Sequence, residues 1–252
     1  MITRRKLLIG GICFCHAGRT LANSPRKLGC ILYDNDPGNN DGGLAELARL
    51  ALTSDYGNGL FAILNDLRTQ LGVQPTFALY NDGVKNPNAL SCETALLPEK
   101  LGQSTDGTVA VGRTLLGVLK EKSSDFGSAM TATCAHEFGH ILQFKTVIDD
   151  LNRLPNSEIR TELHADYVSG YYGAHRKTID PHYDVLTQAI TQYEAGDRDA
   201  AGKLTYKAVS HGTYEQRGDA VYAGFLLGSG GPKDPKEVAA KGLEYVRSLN
   251  IP

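Results

Sequence analysis

The stretch from Ala129 to Phe144 is built largely of apolar and small residues, with His136, Glu137 and His140 near its middle. A helix that is apolar around its circumference is buried, and imidazoles or carboxylates taken out of water are costly unless something pairs with them. This segment must therefore cross a core and meet a second element that supplies compensating groups. Positions four apart share a helix face, so His136 and His140 present their rings to one point, with Glu137 beside them. Two imidazoles and a neighbouring carboxylate suit a zinc ion and a base. Cys134, two residues before His136, points to a different face and reads as buried packing.

A catalytic zinc usually takes a third protein ligand and keeps one position open for water. The extended metzincin pattern would need Gly at position 143 and His at 146, and Gln143 and Thr146 stand there instead. Downstream, residues 158–176 form another helical pattern, within which Glu162 and Asp166 lie four apart on one face. Glu162 is read as the third ligand. Asp166, one turn on, is placed to accept the outer N–H of a ligand histidine and so fix its tautomer and basicity. Glu158 and His164 are weaker candidates for the ligand position, and the competing reading of Glu162 and Asp166 is an acidic solvated face. Ala165 and Gly170 are expected to let this helix approach the His136 helix closely.

The combination of His136-Glu137-Phe138-Gly139-His140, Gln143, Glu162-x-x-Ala165-Asp166 and Ser210-His211-Gly212-Thr213-x-Glu215-Gln216-Arg217 resembles the gluzincin metallopeptidases, in particular the bacterial neutral zinc metallopeptidases. The likeness covers roughly residues 86–228. It implies a zincin-like domain holding one zinc ion, with His211 and Arg217 near the active site. It also implies an edge strand, drawn from Asn88-Ala89-Leu90 and residues 107–112, that lines the substrate cleft. Thr108, Val109, Ala110 and Val111 are accordingly expected to bind an extended peptide by strand addition. Glu137 would serve as the general base. His211 is the candidate donor to the oxyanion, with Tyr167 and Tyr214 as alternatives, and Arg217 would orient Glu162 or Asp166. The expected activity is peptide-bond hydrolysis. The rival is a catalytically quiet module that keeps the metal fold to bind a peptide or protein partner.

Around these motifs the chain reads as α+β, a small N-terminal sheet followed by helices. Two short helices are expected between Leu44 and Leu71, interrupted at Tyr56-Gly57-Asn58-Gly59. Strands are expected at residues 76–80 and 107–112 and a helix at 113–122. Helical patterns follow beyond Ser123, with breaks near Pro155, Pro181, Gly196, Gly212 and Gly230-Gly231-Pro232. The polar cluster from Asp34 to Gly43 fails the EF-hand spacing, since Gly38 stands at a ligand position, and reads as a helix-capping loop.

Length and charge narrow the partners. A 252-residue chain with 26 Lys+Arg against 28 Asp+Glu carries a formal charge of -2, too even for a nucleic-acid surface or a polybasic membrane footprint. Thr3-Arg4-Arg5-Lys6 precedes a short apolar run ending at Phe14, and Thr20-Leu21-Ala22 offers a cleavage site. Residues 1–22 are read as an export signal of twin-arginine type, leaving a single domain over 23–252 in the periplasm or outside the cell. The alternative is an uncleaved N-terminal anchor, although the apolar run falls short of the ~20 residues of a bilayer span. No stable membrane insertion is expected once the signal is removed. The mature chain would keep Cys30, Cys92 and Cys134, too few for a disulfide scaffold; a Cys30–Cys92 bridge or reduced buried thiols are both open.

Overall fold

The structure is a computed structural model that describes residues 55–80, 82, 87–93, 106–197 and 210–251. The proposed export signal, the Asp34–Gly43 cluster and Cys30 lie outside the described residues. The elements run α1 (Asp55–Leu71), β1 (Thr76–Tyr80), β2 (Ala89–Cys92), β3 (Thr108–Gly112), α2 (Arg113–Lys122), α3 (Phe126–Thr146), α4 (Ile148–Asn152), α5 (Ser157–Ile179), α6 (Val185–Glu194), α7 (Tyr214–Ser229) and α8 (Pro235–Ser248). The described residues are mostly helical around a small mixed sheet, an α+β arrangement. None of their helices is long and apolar enough to cross a membrane.

One sequence-based boundary moves. Helix α1 continues through Tyr56-Gly57-Asn58-Gly59, where an interruption was expected. Leu60, Leu64, Leu67 and Leu71 seat this helix in the core, and that burial outweighs the weak helix preference of two glycines.

The sheet order is β1-β3-β2, with β3 parallel to β1 and antiparallel to β2. This corrects the expectation for Thr108, Val109, Ala110 and Val111. They form the central strand, paired on both sides and buried, so their backbone groups are already taken up within the sheet and no peptide can add there. Among the described residues β1 and β2 flank it on either side. The physical reason is pairing: a short, wholly buried strand is what a central position selects, and a sequence pattern does not reveal how many neighbours a strand has. A second tie is made by Asp82, whose carboxylate accepts the backbone N–H groups of Asn88, Thr114 and Leu115 at 2.8–3.0 Å. It thereby caps the first turn of α2, a task Gly112 at the N-cap has no side chain to perform.

Helix α3 starts at the N-cap Asp125, which accepts from the backbone N–H and hydroxyl of Ser128. It then runs through the core, buried from Cys134 to Phe144 without a break. Helix α5 crosses it, and α7 lies on the other side of α5. The glycines divide these contacts. A Cβ on Gly139 would sit 3.1 Å from the Cα and carbonyl of Ala165, so Ala165 does face α3. Gly170, expected on the same contact, instead meets α7: its Cβ would lie 1.9 Å from the Val221 carbonyl, and a Cβ on Gly224 would lie 1.8 Å from the Tyr167 carbonyl. Five residues along a helix turn the side chain well away from the first face, which is why Ala165 and Gly170 serve different neighbours.

Gly170→Ala and Gly224→Ala should each lower stability by about 1–3 kcal/mol or more through overpacking. Gly117→Ala, on an exposed helical position with nothing within 4 Å of the added carbon, should raise it by roughly 0.5–1 kcal/mol. Urea midpoints at unchanged m-value measure all three.

Candidate metal centre

The close approach at Gly139 and Ala165 sets the separation of α3 and α5. Across it, His136 and His140 project from α3 and Glu162 from α5. The two Nε2 atoms lie 3.2 Å apart. Glu162 places its oxygens 3.3 Å from His136 Nε2 and 3.5 Å from His140 Nε2. All three side chains are buried, and one donor atom from each falls within 4.8 Å of the others. Two imidazole nitrogens and a carboxylate turned toward one another are donors of the kind that bind metals, so this group could hold a metal ion.

The outer nitrogens are held as well. His136 Nδ1 donates to Asp166 Oδ1 at 2.8 Å. Asp166 is itself gripped by Arg217, whose Nε reaches Oδ2 at 2.7 Å and whose second terminal nitrogen reaches Oδ1 at 2.8 Å. The guanidinium also donates to the Ala195 carbonyl and to Gln192 Oε1, both at 3.0 Å, which fixes it between α6 and α7. Arg217 therefore orients Asp166 rather than Glu162. His140 Nδ1 lies 2.9 Å from Gln143 Oε1.

Burial alone would keep His136 neutral. The Asp166 carboxylate, its hydrogen bond and that of Glu162 outweigh this and hold the imidazole up at about 10. His140 goes the other way, taken down to about 4 by burial, with the charge on His136 adding to it against the pull of Glu162. Burial would raise the Glu162 carboxyl, yet the facing histidines hold it well below its ordinary value; Asp166 is lowered against burial by Arg217 and His136.

The remaining candidates separate cleanly. Glu158 is exposed in the first turn of α5. His164 is buried but turned toward α8, its Nε2 3.0 Å from the Ala239 carbonyl. Tyr167 stacks on Tyr245 of α8 at 5.4 Å, and Tyr214 meets Tyr193 edge-on at 4.7 Å. His211 is close enough for its charge to act on Glu162. Its loop is built around Asp197, a residue that sequence reasoning missed. That carboxylate accepts the backbone N–H groups of Ser210, His211 and Gly212 at 3.1–3.2 Å and lies 3.3 Å from His211 Nδ1. Gly212, at φ 86°, makes the turn possible before Thr213 and Gln216 close a capping box on α7.

Glu137, next to His136 in the chain, shares with it the wall of a cavity of about 30 Å³, lined also by apolar groups such as Ala89, Leu115 and Leu119 and by Thr133, Thr191, Gln192 and Arg217. Ser91 of β2 donates to Glu137, with its hydroxyl 2.5 Å from Oε2 and 2.8 Å from the backbone carbonyl. Ser91 was also missed, since nothing in spacing links it to a residue 46 positions on. Cys134 is buried in the core, its thiol pushed up by burial and then by Glu137; Cys92 is buried at the end of β2. No protein-family model matches the chain, nor does any curated protein or solved structure.

Two outcomes follow. Binding of a divalent metal near pH 7 should expel about one proton, from His136, since His140 and Glu162 are already deprotonated; apparent affinity should climb about tenfold per pH unit and level off above about 10. Calorimetry in buffers of different ionisation enthalpy reads the proton count. Asp166→Asn should weaken the metal about 10–100-fold while Glu162→Gln loses far more. Equal losses in a chelator competition would mean that the ligand roles are misassigned.

Proposed function

We propose that this protein is an exported zinc metallopeptidase of gluzincin type. The observation that carries the reading is the buried convergence of His136 Nε2, His140 Nε2 and the Glu162 carboxylate beside Glu137 and a cavity. Zinc fits the donor set by chemistry: two imidazoles and one carboxylate leave an open coordination position, as catalytic zinc sites do. The resemblance of the surrounding motifs supports the same choice, and the twin-arginine-like segment at residues 1–22 supports export.

When bound, zinc supplies Lewis-acid polarisation of the scissile carbonyl and lowers the pKa of a water molecule to about 7. The chain's own groups do the rest. Glu137, steadied by Ser91, takes the proton from the attacking water and passes it to the leaving amine. His211, held by Asp197, donates to the oxygen on which negative charge develops. Arg217 and Asp166 keep His136 in the tautomer that turns Nε2 inward.

Glu137→Gln keeps the size of the side chain and removes the base. It should bind zinc as the wild type does and lose roughly 10²–10⁴-fold in peptide cleavage. Elemental analysis and a peptide-library digest measure the two halves. Wild-type cleavage by this variant would overturn the mechanism, and a zinc-loaded wild type that cleaves nothing would favour the quiet binding module.

A further inference from the structure

His140 Nδ1 is met by a neutral side chain, and the polarity of every bond behind it can be assigned. Gln143 Nε2 lies 2.7 Å from the Thr161 carbonyl. A carbonyl only accepts, so the atom facing it is the NH2, and the atom facing His140 Nδ1 at 2.9 Å is the amide oxygen. His140 must then carry its proton on Nδ1 and leave Nε2 as a lone pair. The second hydrogen of the same NH2 reaches His164 Nδ1 at 3.1 Å, which makes that nitrogen an acceptor and puts the His164 proton on Nε2. His164 Nε2 donates to the Ala239 carbonyl of α8 at 3.0 Å. The side chains of His140, Gln143 and His164 are all inaccessible to solvent. Reversing any member would set donor against donor or acceptor against acceptor where no water can repair it.

We propose that Gln143 and His164 form a tautomer-setting relay, anchored on the Ala239 carbonyl, that presents His140 Nε2 unprotonated to the metal. Helix α8 thereby governs a site to which it contributes no ligand. Its own placement is secured by Arg160 of α5, which donates to the carbonyls of Val246 and Leu249 near the end of α8. Contact is tight at the relay itself, since a Cβ on Gly242 would lie 2.9 Å from His164 Nε2. Both are positioning residues, and the inference rests on the metal-binding part of the reading above but not on hydrolysis.

The test compares Gln143→Leu, His164→Leu and His164→Gln in the full chain. Leucine breaks the relay, while glutamine at 164 can still accept from Gln143 and donate to Ala239. Zinc affinity by chelator competition should fall about 10–100-fold in Gln143→Leu, fall by a smaller factor in His164→Leu, and return toward wild type in His164→Gln. Long-range ¹H–¹⁵N spectra of the metal-free protein should show His140 as the Nδ1–H tautomer in wild type and His164→Gln, and as a mixture in Gln143→Leu. Thermal melts identify any variant that fails to fold; Gly242→Ala, which presses on His164 from α8, then substitutes for it and should likewise weaken zinc. A folded Gln143→Leu with the wild-type tautomer and affinity would overturn the relay, as would a His164→Gln no better than His164→Leu. A wild type that binds no zinc would sink the functional reading and leave the tautomer measurement to decide the relay.

Discussion

The contact between Gly139 and the backbone of Ala165 is the constraint on which the site depends. A residue without a Cβ lets α3 come this near to α5 without strain, and the near approach puts Glu162 opposite His136 and His140. A side chain at 139 would crowd the Ala165 backbone and shift the helices against each other at the level of the three buried polar groups. The packing and the candidate chemistry are therefore one requirement. The same logic repeats outward at Gly170 and Gly224, which let α7 approach α5 closely enough to bring Arg217 onto Asp166.

Burying Asp166 and Arg217 together is costly in desolvation and rewarded only by near-ideal geometry. Here the guanidinium meets the carboxylate through two nitrogens and uses further hydrogens on Ala195 and Gln192. A pair bound this fully acts as a rigid post for His136. Asp197 does comparable work for His211 by gathering the backbone N–H groups of Ser210, His211 and Gly212.

What could be read from the sequence was what repeats with the helix. His136 with His140, and Glu162 with Asp166, stand four apart on segments whose helical pattern is plain, and the structure brings both pairs to one place. Gln143 carries the same signal, since it lies three residues from His140 on the same face. Residues joined across long sequence intervals left no trace: Ser91 to Glu137, Asp197 to His211, His164 to Ala239. Strand order was hidden for a related reason. Val109 and Val111 announce a buried strand, but whether such a strand is central or at an edge depends on β1 and β2, and short-range pattern does not encode that pairing.

The two histidines are backed by chemically different partners, and the charges then balance in a definite way. Asp166 is cancelled by Arg217, and Gln143 brings no charge, so neither outer support adds net charge to the buried group. The supports still act differently: Asp166, gripped by Arg217, can hold a charge on the His136 imidazole, whereas the Gln143 amide fixes which nitrogen of His140 carries the proton. A carboxylate in place of Gln143 would lose the N–H groups that Gln143 gives to the Thr161 carbonyl and to His164, so an amide, with one accepting and one donating end, suits a position that must do both.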